Sequence, residues 1–436
     1  MMSSLQIEQL RTKANEGQPQ AQFLLSQICH QKRDFDGMVY WLQRASANDL
    51  PDALNALGHC HETGLGVARD FASALAHYDK AINRGAIYAA FRKAVLLYKS
   101  RRGPDNEDII RELLVLAADA NIVEALRTIG YLAMHRESSR SLALESLRRA
   151  AGLGDPVSSF NLGWCLCQGW GGADAEGESA LWLQHAAGMN YPFAESLLAS
   201  LEGVSPARPG GLVENKTELN TSFPLYPSRL EVDRQILSAD PAITIFKDVL
   251  NTVDCAHLIF VSRPLLQRAD VIDPTSQKGG MISDVRTNLS TFLPFGNVDV
   301  ISRHIELKII CETGEDLALS EPMSILCYAP GEFYRPHVDY FNPNLTVSRG
   351  LMEDGGQRTS SAITYLSEPL AGGGTSFPKL KLTAPPRVGS TLSFRNCHAG
   401  GQIDDRTLHA GDPVEQGEKW VVTKWFRQRP TRYLEF

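Results

Sequence analysis

Two histidines and one aspartate stand out by type and spacing. His337-Val338-Asp339 puts an imidazole and a carboxylate at i and i+2, hence on one face if the stretch is a strand. His409, in the later run TLHAG, supplies a second imidazole. Two histidines and a carboxylate form the facial set that suits Fe(II) and leaves three positions of an octahedral ion open. Oxygen activation needs such positions, two for a chelating co-substrate and one for dioxygen. A co-substrate with a distal carboxylate also needs a fixed cation. Lys419 opens the strand-like run KWVVTKWF, just past a turn at residues 415–417. Alternation puts Lys419, Val421, Thr423 and Trp425 on one face and Trp420, Val422, Lys424 and Phe426 on the other. A buried lysine without a partner is costly, so an inward Lys419 implies an anion to meet it. The alternative register turns Lys424 inward. His398, in NCHAGG, precedes a Gly-Gly turn and lacks a downstream lysine, so it is expected to be a loop residue.

The elements that must hold these residues are short and β-rich. From Pro322 onward the runs MSILCYA, EFYRPHVDYF, SSAITYL, GGTSFPKLKL, GSTLSFRN and KWVVTKWF are broken by Gly and Pro. Many short strands with regular turn signals predict an antiparallel barrel or jelly roll. Upstream, ADPAITIFKDVLNTVDCAHLIF predicts a strand followed by a helix capped near Asn251 or Thr252.

The first half of the chain reads differently. A small residue five positions before a Gly, Ala or Ser recurs at Ala21, Ala53, Ala89, Ala125, Ser158 and Ala194, with spacings of 32, 36, 36, 33 and 36. A second small anchor ends an amphipathic run at Ala45, Ala81, Ala117, Ala150 and Ala186. Two anchors keeping one period indicate stacked helix pairs, with small residues where helices approach closely. The stretch from Asp52 to Ala86, with Gly64, Gly66 and Val67 in its loop and Lys80, Ala81 and Gly85 at its end, resembles a Sel1-like repeat, a relative of the tetratricopeptide repeat. Other units, such as RRGPDNED and HRESSRS, depart from the glycine loop. Such stacks usually bind a protein or peptide.

The motifs YAPGEFYRPHVDYF, RTSSAITYL, GGGTSFP and LHAGDPVEQGEKWVVTKWF, with VRTN further upstream, together resemble the catalytic domain of prolyl 4-hydroxylases, which are Fe(II)- and 2-oxoglutarate-dependent dioxygenases. The resemblance implies a double-stranded β-helix core and the consumption of O2, with ascorbate as an accessory reductant. It implies that His337, Asp339 and His409 bind iron. It further implies that Lys419 holds the C5 carboxylate of 2-oxoglutarate, with Tyr328 and Thr375 beside it. Arg286, Thr287 and Trp425 fall on its substrate side. Asp412 stands where that family often has cysteine, outside the metal set, and no loss of iron binding is expected from it.

The expected fold is therefore multidomain: an all-α helical-repeat solenoid over residues 1–203, a Pro- and Gly-rich linker over 204–232, and a jelly-roll oxygenase domain with flanking helices over 233–436. The chain of 436 residues carries a net charge of −7, and no polybasic run occurs in it. That balance argues against nucleic acid as partner or substrate. No apolar stretch is long enough to span a membrane. Eight scattered cysteines show no disulfide framework, so a reduced, cytoplasmic protein is expected. The leading expectation is hydroxylation of a prolyl residue in a protein or peptide recruited by the repeats. Hydroxylation of a free amino acid or another side chain, and a repeat scaffold carrying an inactive oxygenase domain, are the alternatives.

Overall fold

The computed structural model describes residues 3–100, 106–172, 175–201, 203–206, 219–269, 285–293, 298–398 and 400–431. Part of the expected linker, residues 207–218, lies outside them. The chain divides into two compact units. One comprises the chain up to Ser158 together with the stretch that ends at Leu225; the other comprises Ser159 onward apart from that stretch.

The first unit is a run of paired helices: α1 (Ser4–Asn15), α2 (Pro19–Gln31), α3 (Phe35–Ser46), α4 (Pro51–Thr63), α5 (Phe71–Asn83), α6 (Tyr88–Ser100), α7 (Glu107–Asp119), α8 (Val123–Ala133) and α9 (Arg140–Gly152). The anchors explain the pairing. Ala45, Ala81, Ala117 and Ala150 are fully buried, as are Ala53, Ala89 and Ala125. At Gly58 of α4 an added Cβ would lie 2.7 Å from the Tyr78 ring of α5; at Gly130 of α8 it would lie 2.7 Å from Leu147 of α9. The period thus marks the points where one helix runs directly over the next. Between α4 and α5, Gly64 and Gly66 adopt left-handed backbone (φ 76° and 73°). A Cβ on Gly66 would also meet the Phe35 carbonyl at 2.6 Å, so the loop needs glycine there. Asp70 then caps α5 by accepting from the backbone N–H groups of Ala72 and Ser73. The stretch ending at Leu225 packs into this unit: Phe223 and Leu225 are buried, and Arg111 Nε donates to the Phe223 carbonyl at 3.1 Å.

In the second unit, α10 (Pro156–Cys167), which begins at the division, α11 (Ala175–Gly188) and α12 (Ala194–Ala199) continue the repeat pattern. Gly163 of α10 faces Leu183 of α11 as Gly130 faces Leu147. Helix α13 (Thr252–Ser262) is capped by Asn251 in a reciprocal capping box with Asp254, as the sequence predicts. The Tyr191 ring, between α11 and α12, lies 4.8 Å from that of Phe260 on α13. The last repeat helices therefore pack with the β-rich part.

That part contains fourteen described strands: β1 (Arg234–Ala239), β2 (Ala242–Phe246), β3 (Gln267–Arg268), β4 (Leu289–Leu293), β5 (Met323–Tyr328), β6 (Tyr334–His337), β7 (Arg358–Tyr365), β8 (Ala371–Gly372), β9 (Thr375–Phe377), β10 (Leu382–Ala384), β11 (Thr391–Arg395), β12 (His409–Gly411), β13 (Val414–Gln416) and β14 (Lys419–Arg427). The pairings are antiparallel. A large sheet runs β1-β2-β11-β7-β14-β5-β4-β3 and a small one β10-β9-β12-β6. Ile363, Leu392, Phe394 and Val421 of the large sheet meet Phe377 and Ala384 of the small one in a single apolar core, the layering of a jelly roll. On the outer face of the large sheet, helix α14 (Val300–Thr313) is buried nearly throughout. Its Glu306 accepts from Lys424 Nζ of β14 at 2.5 Å.

Candidate metal centre and co-substrate pocket

The short strands β6 and β12 meet at one ladder position, where His337 and His409 are direct cross-strand partners. Their ring centroids are 4.3 Å apart. The extended run expected through Asp339 ends earlier: β6 stops at His337, and Asp339 sits in the bend beyond. Its carbonyl accepts from Arg358 Nη1 at 3.4 Å and its Oδ2 from Ser361 Oγ at 2.6 Å. These bonds turn the carboxylate back between the imidazoles. His337 Nε2 lies 3.9 Å from Asp339 Oδ1, and His409 Nε2 lies 3.7 Å from Asp339 Oδ2. One ligand atom from each residue falls within 4.8 Å of the other two.

The tautomers follow from the backbone. His337 Nδ1 lies 2.9 Å from the Arg335 carbonyl and His409 Nδ1 lies 3.0 Å from the Thr407 carbonyl. A carbonyl only accepts, so each Nδ1 carries a proton, and each Nε2 is the ring nitrogen left facing Asp339. Burial, with His409 beside it, pushes the His337 pKa down to about 3. Burial tends to raise Asp339, but His409, His337, Arg358 and the Ser361 hydroxyl outweigh it and hold the carboxyl below its ordinary range. Two imidazoles and one carboxylate that line one cavity are a donor set that suits a divalent first-row metal.

The three residues line a cavity of about 880 Å³. Lys419, Val421, Thr423 and Trp425 all line it, which is the face that alternation along β14 assigns to them. Lys419 is 2% exposed and is the cross-strand partner of Tyr328. Its Nζ donates to the Gly374 carbonyl at 3.3 Å and stands 5.3 Å from the Tyr328 ring and 5.7 Å from the Tyr365 ring. Among the described residues no carboxylate forms a salt bridge with it. Burial pushes its pKa down to about 8, with Asp412 acting in the opposite sense. Lys424 faces the other way, fully buried against Glu306 and Ser320. Thr375, also cavity-lining, accepts from Tyr365 Oη at 2.9 Å.

Arg286 lines the cavity, its guanidinium 4.9 Å above the Tyr334 ring, which in turn stacks on His337 at 3.5 Å. Thr287 does not line it; its hydroxyl accepts from Phe333 N–H at 2.9 Å and braces the entry to β6. Trp425 carries the Arg358 guanidinium 3.9 Å over its ring. Asp412 accepts from Ser376 Oγ at 2.6 Å and stands apart from the three convergent donors. His398 is half exposed and faces Asp404, with Asp240 near, and Arg406 bonds to both acids. Spacing left Tyr365, Arg358, Ser361 and Asn396 unmarked. Tyr365, two residues past Ile363, shares the inward face that alternation gives SSAITYL, a signal that its aromatic type makes legible.

Comparison with known proteins gives the family. Residues 323–427 match the family model of the 2OG-Fe(II) oxygenase superfamily, and residues 51–85 and 156–191 match the Sel1 repeat. The chain is thus a 2-oxoglutarate-dependent dioxygenase joined to Sel1 repeats. Prolyl 4-hydroxylase 1 of Arabidopsis thaliana is 33% identical over 214 residues, covering 46% of this chain and 74% of the relative. Probable prolyl 4-hydroxylase 6 of the same plant is 31% identical over 226 residues, covering 48% and 75%. Within the superfamily, then, the chain belongs to the prolyl 4-hydroxylase family. Among solved structures, the viral collagen prolyl hydroxylase of Paramecium bursaria Chlorella virus-1 aligns at 24% identity and TM-score 0.33, covering 42% of this chain and 95% of that one. A Sel1 repeat protein from Oxalobacter formigenes aligns at 24% identity and TM-score 0.38, covering 42% and 79%.

Proposed function

We propose that the chain hydroxylates prolyl residues of a protein or peptide, with His337, Asp339 and His409 as the Fe(II) ligands. The observation that carries this reading is one cavity lined by three convergent metal donors and by a buried lysine that forms no salt bridge among the described residues. When bound, the ion and 2-oxoglutarate supply the oxidant that places one oxygen atom of O2 on an unactivated C–H bond, leaving succinate and carbon dioxide. Lys419 binds the distal carboxylate of 2-oxoglutarate, with the Tyr328 and Thr375 hydroxyls at hand to complete its hydrogen bonds. Phe394 and Phe377, with ring centroids 4.8 and 5.9 Å from that of His409, keep water from the inner side of the site. Arg286 and Trp425 stand on the side from which a peptide enters, and they orient it.

The repeats serve in this proposal as the recruiting arm. A second cavity, of about 740 Å³, is lined by residues of α3, α4 and α5 and the turns that follow α3 and α5, among them Gln43, His61, His77, Lys80 and Arg84. Polar side chains facing such a hollow supply partners for a peptide backbone. We infer also that the protein works in the cytoplasm, in keeping with its eight free thiols. None of the described helices is long and apolar enough to cross a membrane. Ascorbate would keep the iron reduced, as the family resemblance implies.

The test loads the full chain with Fe(II) and 2-oxoglutarate without oxygen, admits air, and examines Pro-containing peptides by mass spectrometry. A gain of one oxygen on proline, matched by succinate, is expected. Oxygen on a free amino acid alone would replace this reading with its runner-up.

A further inference from the structure

Asp339 is held by more than the bend it occupies. Its Oδ2 accepts from Ser361 Oγ at 2.6 Å, and Ser361 Oγ accepts from Asn396 Nδ2 at 2.9 Å. The three residues come from the bend after β6, the middle of β7 and the residue that follows β11. Ser361 is fully buried and Asn396 is 1% exposed, and neither lines the cavity. Chemistry sets the direction of both bonds. An ionised carboxylate only accepts, so Ser361 gives its one proton to Asp339 and turns a lone pair to Asn396, which must present its amide N–H. Asn396 is anchored in turn: its backbone N–H donates to the Thr359 carbonyl at 2.8 Å, and its carbonyl accepts from Asp404 N–H at 2.9 Å.

We propose that Asn396 and Ser361 form a positioning relay that fixes the rotation of the Asp339 carboxylate and directs metal ligation to Oδ1. The proposal rests on the reading of His337, Asp339 and His409 as metal ligands. Among the described residues Oδ1 has no hydrogen-bond partner, while Oδ2 is engaged by the hydroxyl. A carboxylate free to turn can close both oxygens on an ion and occupy a position that co-substrate or dioxygen needs. The relay opposes that rotation from a place where neither residue touches ion or substrate, so both are positioning residues. Asn396 keeps the serine hydroxyl from turning away, because a donor already fills the other side of Oγ.

The test titrates the full-length protein with Co(II) alone, followed by visible absorption, beside melting of the metal-free form. Wild type should bind one Co(II) and His409→Ala none. Ser361→Ala should bind Co(II) about 10- to 100-fold more weakly, and Ser361→Thr, which keeps the hydroxyl, within about threefold of wild type. Asn396→Leu should weaken binding in the wild-type background and add nothing in the Ser361→Ala background, because the relay passes through Ser361. Should Ser361→Ala fail to fold, Ser361→Cys makes the same comparison with a much weaker donor. Wild-type affinity in Ser361→Ala overturns the relay alone. So does an Asn396→Leu loss of equal size in both backgrounds, which marks general loosening. A wild-type protein that binds no Co(II) overturns the metal reading and the relay with it.

Discussion

At the scale of single residues, the site separates side chains that share a type. His409 is buried with its Nε2 toward Asp339, whereas His398 sits half exposed beside Asp404. His337→Ala, Asp339→Ala and His409→Ala should each abolish succinate production, and His398→Ala should leave it intact; the reverse result for the two histidines would refute the ligand assignment. The two lysines of β14 part in the same way. Lys419→Ala should raise the KM for 2-oxoglutarate about 100-fold, the cost of leaving a desolvated carboxylate unpaired. Lys424→Ala should leave that KM unmoved and instead cost up to about 3 kcal/mol of stability, because buried Glu306 keeps only Arg303 as a cation and the Ser320 hydroxyl and Glu321 carbonyl lose their donor. The cationic form of Lys419 is the one that binds, and its pKa lies near 8. Charge is thus half lost at about pH 8 and falls further above it, so the KM should climb as pH rises through 8. Lys419→Arg, which stays charged, should flatten that profile. Spacing marked His337, Asp339 and His409 because two imidazoles and a carboxylate on β-rich runs form a possible metal set; for the cation it left Lys419 and Lys424 open, and the family resemblance pointed to Lys419. Ser361 and Asn396 escaped for the opposite reason. A serine in one strand and an asparagine after another carry no mark until sheet pairing brings them behind Asp339.

At the scale of elements, local rules account for most of what the sequence makes visible. The run KWVVTKWF alternates as a strand must, and its four cavity residues are those that period two selects. The helix after Asn251 begins where its capping box places it. The run EFYRPHVDYF misleads because pattern alone extends it through Asp339, while hydrogen bonds from Arg358 and Ser361, both distant in sequence, bend the chain after His337. β6 is an edge strand, which is why it tolerates Pro336. The repeat helices offer a test of the close-approach argument. Gly130→Ala should destabilise by about 1–3 kcal/mol, since the new methyl would overlap Leu147. Gly152→Ala, with open space around its Cβ in the last turn of α9, should be neutral or stabilising by up to about 1 kcal/mol. Equal melting temperatures for the two variants would contradict the reading of the period as a contact period.

At the scale of the whole molecule, the helical period and the compact units do not share a boundary. The small-residue anchors run on to Ala194, yet Ser159 onward belongs with the strands, where Tyr191 packs on Phe260. Composition could not reveal this, because a Pro- and Gly-rich stretch reads as spacer even where Phe223 and Leu225 are buried among helices. A fragment that begins at Leu225 loses α10 to α12 and strips the cover from Phe260, so it should aggregate on size-exclusion chromatography. One that begins at Asp155 keeps those helices and should decarboxylate 2-oxoglutarate slowly without substrate. Its turnover of a full protein substrate should fall through KM rather than kcat, because only recruitment is lost. Unchanged kcat/KM on the intact substrate would leave the first nine helices as a structural appendage.

The rung on which His337 faces His409 also fixes a chronology. The first imidazole leaves the ribosome well ahead of its partner, and until β12 emerges and zips against β6 no pocket for an ion exists. On the proposed ligand assignment, iron enters only after the strand ladder has closed, so loading follows synthesis rather than guiding it.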